Sequence, residues 1–317
     1  MERAILSSLL IVCLSFGVFA QDEEQEVDVL GRHVYMAKNF KKADKVVFSK
    51  FIVTYSTAAS QAGPLDEEHS RYGTYLKGAS TEVMQQLTDS LYAMYCKYLT
   101  DAGYEILENT AVTQSKSLAS WKLEESTGEP WLADLPYDLQ QFGDREVAIC
   151  FAKGTPNYQH ADLTRLPGKN GKFQDLSNET DAIVISAGFH VYFMEYDKNA
   201  LGNTNVVNGG PKLYLASNMQ TRLNTQVTFH YWTEKMKEPI MATYWLEEPL
   251  EYNKTFGTYG SQKEAISGGD LSPKGTSSKA NNYVEAEKAV YATGSDELLQ
   301  DFSKMALNDW QSSIKGK

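Results

Sequence analysis

Apolar and polar positions change period along the chain, and the changes mark out its elements. Between Val46 and Tyr55 both parities are partly apolar, with Val47, Phe51, Val53 and Tyr55 on one and Phe48 and Ile52 on the other. That pattern predicts a strand inside a sheet covered on both sides. Further on, Val83, Met84, Leu87, Leu91, Met94, Tyr95, Tyr98 and Leu99 recur at three- and four-residue steps. They form the stripe of an amphipathic helix. Ser80 or Thr81 is placed to cap it, Glu82 suits its positive end, and Gly103 stands where a left-handed stop is wanted. Tyr104–Leu107 then resumes an extended run, so the unit reads as strand, helix, strand: a βαβ crossover with parallel strands.

The later chain adds sheet and helix to this unit. TAVTQSKSLASWKLEE predicts a second, shorter helix with Leu118 and Trp121 inward, and Asp144 to Phe151 predicts a strand. DAIVISAGFHVYFMEYD reads as a long strand, and KLYLASNMQTRLNTQVTFHYW as another. In the latter, Leu213, Leu215, Met219, Leu223, Val227, Phe229 and Tyr231 share one parity, and Asn218, Gln220, Arg222, Asn224, Gln226 and His230 the other. A half-buried antiparallel hairpin with one wet face follows from this alternation. The run Leu213 to Trp232 is also long enough for a membrane-crossing hairpin in an oligomeric barrel, an insertion that is possible but not favoured. Tyr283 to Thr293 is strand-like. Ser295 is placed to cap a closing helix whose inward side is Leu298, Leu299, Phe302, Met305, Ala306 and Trp310. The fold class is therefore α/β to α+β: a mixed sheet with a βαβ unit, a long antiparallel hairpin and flanking helices.

The first twenty residues carry Arg3, an apolar core and a small-residue end before the acidic QDEEQE. This is the pattern of a secretory signal peptide. The expected organisation is residues 1–20 as signal peptide, 21–44 as a polar lead-in, and 45–317 as a single α/β domain with long loops at 122–143, 153–180 and 247–282. Localisation follows as exported, periplasmic or extracellular. A formal net charge of −11 gives no global reason to seek nucleic acid or anionic lipid. Beyond the signal two cysteines remain, Cys96 and Cys150, both among apolar residues, and the reading leans towards two buried thiols rather than a pair.

Known catalytic signatures are missing from the sequence. The five histidines, His33, His69, His160, His190 and His230, show no metal-ligand spacing. There is no GxSxG elbow, Walker loop or GxGxxG after the first strand. Catalytic residues are thus unknown, and no cofactor or metal is expected. His190 and His230 lie on proposed strands and could face each other across the hairpin, although core or polar-face roles are commoner. Glu195, Asp197, Glu247 and Glu248 are carboxylates near strand ends, and Trp131 and Tyr137 lie in an aromatic loop.

The first strand KVVFSKFIVTY, the helix running into DAGYEILE, the strand pair AIVISAGFHVYFME and LYLASNMQTRLNTQVTFHYW, and the helix DELLQDFSKMALNDW together resemble the periplasmic α/β domain of the CsgG-like, curli-secretion-type envelope proteins. The resemblance covers most of the chain after the signal. Channel-forming members are acylated at an N-terminal Cys, and Cys13, preceded by Leu10, Ile11 and Val12, does not match that box. The resemblance therefore implies the architecture more than a pore. The functional expectation is an exported, non-enzymatic cell-envelope protein acting in assembly or secretion-related contacts, with other envelope proteins or copies of itself as partners. The alternative is a secreted hydrolase or carbohydrate-binding protein using the aromatic loop and a strand-end carboxylate.

Overall fold

The sheet is organised around β2 (Lys45–Gln61), a strand of seventeen residues. In the computed structural model, which describes residues 29–61, 72–134, 144–158, 170–196, 209–217, 225–267, 270–272 and 279–315, one edge of β2 pairs in parallel with β9 (Ile183–Tyr196) from Val46 to Tyr55. The other edge carries β4 (Glu105–Ile106), parallel, and β7 (Asp144–Phe151), antiparallel. Its far end pairs with β3 (Tyr72–Lys77). From β9 the sheet continues through β11 (Gln226–Tyr231) to β12 (Ile240–Leu246) and β1 (Leu30–Tyr35), and β10 (Gly209–Leu215) pairs with β9 off this path. From β3 it continues through β15 (Lys279–Ala286) to β14 (Gly257–Ser267), while β6 (Trp131–Asp134) and β13 (Leu250–Glu251) attach to β7 and β10. Thirteen strands form this open, mixed sheet, and β5 (Glu124–Glu125) with β8 (Pro156–Asn157) makes a separate small one.

β2 slips in register between Ser56 and Ala59 against β7 and, with more consequence for its faces, near its start. The register against β9 slips between Phe48 and Lys50, a bulge at Ser49. Phe48 therefore joins Phe51, Val53 and Tyr55 on one face, and Val47 turns with Ile52 to the other. The sequence pattern had Phe48 and Val47 the other way round, because a bulge inverts parity on one side of it. Ser49 is secured there by its Oγ donating to the Ile185 carbonyl at 3.1 Å and by the Tyr158 hydroxyl donating to its own carbonyl.

One face of the sheet is sealed by α1 (Thr81–Asp101) and α4 (Lys288–Lys315). Ser80 caps α1 by accepting from the Val83 N–H, and Gly103 ends the turn after it with φ 94°. Met84, Leu91, Tyr95 and Leu99 point into the core as the stripe predicts. On α4, Trp310 stacks on Phe229 at 4.2 Å between centroids and meets Phe40 and Tyr104. The opposite face is covered, among the described residues, at β2 and over parts of β9 and β11. There α2 (Thr110–Thr113), the residue Leu118 after it and α3 (Asn170–Thr180) pack Val112, Leu118, Phe173 and Leu176 against Val47 and Val184.

Several expected elements take another form. Residues 21–44 are more than a lead-in, since Leu30–Tyr35 is a strand held by antiparallel pairing with β12. The loop expected at 153–180 contains α3, and that at 247–282 contains β13, β14 and the start of β15. The helix predicted after Glu108 shrinks to the single turn of α2 and a 3-10 turn at Ala119–Trp121. Ser295 does not cap α4, which begins at Lys288 and buries Ser295 in its interior. The twenty-residue strand divides into β10 and β11. Both lie on the same edge of β9, with Leu215 opposite Val191 and Gln226 opposite Gly188, and the chain leaves and rejoins that edge at His190. The Ala216 N–H donates to the His190 carbonyl, and the His190 N–H donates to Thr225 Oγ1. Leu213, Leu215, Val227, Phe229 and Tyr231 still share the core face, so the alternation survives the interruption. Met219 and Leu223 lie outside the described residues, as do the signal-peptide stretch, His69, His160, Tyr137 and Asp197.

Candidate functional site

The register of five strands assembles a polar patch on the face away from α1 and α4. Directly opposed residues share a face. Lys50 on β2 faces Ser186 on β9, which faces Thr228 on β11, Thr243 on β12 and His33 on β1. The next row runs Ile52, Gly188, Gln226, Trp245, Gly31. On the other side of the Thr228 row stand His230, Met241 and Tyr35. Every one of these strands gives its alternate residues to the apolar core, so the polar row is the necessary second parity of strands whose first parity is buried.

Within the patch Thr228 is the hub. Its Oγ1 accepts from Gln226 Nε2 at 3.0 Å and lies 3.3 Å from Thr243 Oγ1. Lys50, Ser186, Thr228 and His230 are buried, while Gln226, Thr243, Trp245 and Gly188 keep partial exposure. The Trp245 indole lies across Gly31: a β-carbon on Gly31 would overlap Trp245 Nε1 and Glu247 Oε1. Only glycine leaves this room, and the indole shields the bare backbone of an edge strand in return. His230 is 5% exposed, and its Nδ1 has no hydrogen-bond partner among the described residues. Burial without a compensating anion pulls its pKa down to about 4.

Of the residues singled out in the sequence, Glu247 and His230 come to this patch, with His33 at its rim. Glu248 is exposed beyond the end of β12. His190 and His230 do not face each other: His230 opposes Val184, while His190 stands where β9 loses its partner strand, against Tyr192 at 4.4 Å between rings. Tyr192 in turn stacks on Tyr214 at 5.2 Å. Trp131 belongs to β6 and packs on the Ile52, Val147 and Ile149 cluster, on the β7 side of β2 and so at the far end of the row from Trp245. Asp197 and the Glu195 side chain lie outside the described residues. Cys96 on α1 and Cys150 on β7 are free thiols, the first half-buried and the second buried, and desolvation raises both pKa values. Among the described residues no group of three or more His, Cys, Asp or Glu side chains could hold a metal ion.

Trp245, Gln226, Thr228 and Gly31 were not legible as a group. Ile240–Leu246 alternates cleanly, with Ile240, Ala242, Tyr244 and Leu246 buried and Met241, Thr243 and Trp245 on the other parity. That alternation was the available signal, but it carries no information on which strands lie beside it.

The comparisons with known proteins add no neighbour. No family model matches the chain, and no curated protein or solved structure is significantly similar to it. What is defined is therefore the architecture, an α+β fold on an open mixed sheet. Among the described residues no helix is long and apolar enough to cross a membrane, which says nothing of strands.

Proposed function

We propose that the protein is an exported, non-enzymatic component of the cell envelope that acts in assembly or secretion-related contacts, through other envelope proteins or copies of itself. The observation that carries this reading is the state of the sheet's two ends. Among the described residues β1 pairs only with β12, and β14 only with β15, so each presents one backbone edge without a strand partner. Such edges are templates for adding a strand from another chain. The large hydrophobic side chains left exposed among the described residues, Tyr35, Met36 and Tyr259, lie on or next to these two strands. The compositional signal at residues 1–20 supports the location, and the resemblance in element order to the CsgG-like domain supports the setting.

The test is the mass of the purified protein in detergent-free buffer, by size-exclusion chromatography with light scattering, joined to cross-linking mass spectrometry on intact cells. A discrete oligomer, or cross-links from β1 or β14 to an envelope protein, is expected, and Met36→Lys with Tyr259→Lys should reduce them. A monomer whose edge strands cross-link to nothing would sink the reading.

A further inference from the structure

The polar patch has a chemistry that contact through edge strands does not use. Its centre offers an indole, a primary amide and two hydroxyls in adjoining rows: Trp245, Gln226, Thr228 and Thr243. One buried cation, Lys50, and one carboxylate, Glu247, lie at opposite sides, so among the described residues the patch has no dominant sign of charge to select a phosphate or a metal. Amides and hydroxyls donate and accept equally well, which matches a ligand that is itself dense in hydroxyl groups. An indole complements the apolar C–H surface of a pyranose ring. His230 supplies the independent sign that something is wanting: a neutral imidazole, nine-tenths buried on the same face, whose Nδ1 has no partner among the described residues. A buried polar atom left without a partner costs about 1 to 3 kcal/mol, and a ligand hydroxyl would satisfy it.

We infer that the face of β9, β11 and β12 centred on Trp245, Gln226 and Thr228 is a binding site for a neutral oligosaccharide. Several sugar units would lie across the strands, their hydroxyls exchanging hydrogen bonds with the partly exposed Gln226 and Thr243, which Thr228 holds in place from beneath, while one ring packs on Trp245. Gly31 sets the indole's position, and Gly31→Val pushes it off the sheet. This site uses the face of the sheet and not the open backbone edge of β1, so it stands or falls separately from the assembly reading.

The experiment is isothermal titration of the purified chain with chitohexaose, cellohexaose and maltohexaose, each to about 10 mM, the weak limit of useful affinity. Saturable binding of at least one is expected. Gln226→Ala and Trp245→Ala should each weaken it by about tenfold or more, as loss of an aromatic or amide anchor does. Gln226→Ala is the control for folding, because Gln226 is half-exposed and its loss should leave the thermal midpoint near that of the wild type. Trp131→Ala, on β6 at the far side of β2 from Gln226 and Trp245, should bind normally. No binding of any of the three glycans overturns the inference. So does binding that survives both patch variants, that is lost equally in Trp131→Ala, or that inorganic phosphate displaces.

Discussion

The two faces of the sheet follow different rules although the same strands make them. On the face under α1 and α4, β9, β11 and β12 present Ile185, Phe229 and Tyr244, and two long helices seal them. Their alternate positions carry Ser186, Thr228 and Thr243, of which the two threonine hydroxyls touch and Thr243 stays partly open. The first face is what burial of apolar area demands and would look much the same for any ligand or none. The second is not demanded by folding: a wet face tolerates almost any polar residue, so Trp245 over a glycine and a buried imidazole with an idle nitrogen are choices that folding alone does not explain. The difference teaches where to look in an open sheet: at which polar residues the second parity keeps buried.

The largest expected effect breaks the apolar face. Trp310→Ala removes an indole stacked on Phe229 and touching Phe40 and Tyr104, and should cost about 3 to 5 kcal/mol, read as a lowered urea midpoint. A change below about 1 kcal/mol would mean that α4 is not the seal described.

His230 gives the next effect, and it sharpens the contrast because it reports the polar face. The unfolded chain takes up a proton at the ordinary imidazole value, the folded chain only near pH 4. Stability should therefore fall as pH drops from about 6.5 to 4, by up to about 3 kcal/mol. The difference between wild type and His230→Gln in denaturant midpoints across that range isolates it from the carboxylates. Parallel curves would place His230 in water.

Thr228→Val keeps the shape and deletes the hub hydroxyl, leaving the Gln226 amide without its acceptor. A loss of about 1 kcal/mol is expected, several times smaller than on the other face. The smallest effect lies outside both faces, at Glu179. Burial would raise its pKa, but the N–H groups of Lys116 and Ser117 and the hydroxyls of Ser115 and Ser117 donate to it and hold it below the usual carboxylate range. What it contributes is present above the ordinary carboxylate pKa and lost as pH falls through its depressed value. Glu179→Gln should flatten that acid limb slightly, and its amide exchange effects should be confined to residues 115–117.

Much of the apolar face was legible in the sequence. The α1 stripe, its Ser80 cap and Gly103 stop, the central place of β2 and the inward side of α4 each rest on a local period that the structure keeps. The misses in the sheet have one physical origin, which is that pairing partners lie far off in the chain. β1 is a strand because β12 lies beside it, and the short LGRHVY shows little period alone. The Ser49 bulge and the break opposite His190 are properties of two strands, not of one. The candidate site is of the same kind. Glu247 and His230 could be named, but a row drawn from five strands exists only once the register is set.

The place of β2 bears on how the chain reaches this state. It is made early, yet its ladder partners run to Ile183–Val191, and the sheet beyond β3 waits for residues 279–286. Closing loops of that length before any contact rewards them makes for high contact order and slow folding. During that interval Val46–Tyr55, apolar on both faces and rich in β-branched and aromatic residues, has nothing to cover it. The strand that anchors the finished sheet is thus the segment of the nascent chain most in need of a holding chaperone.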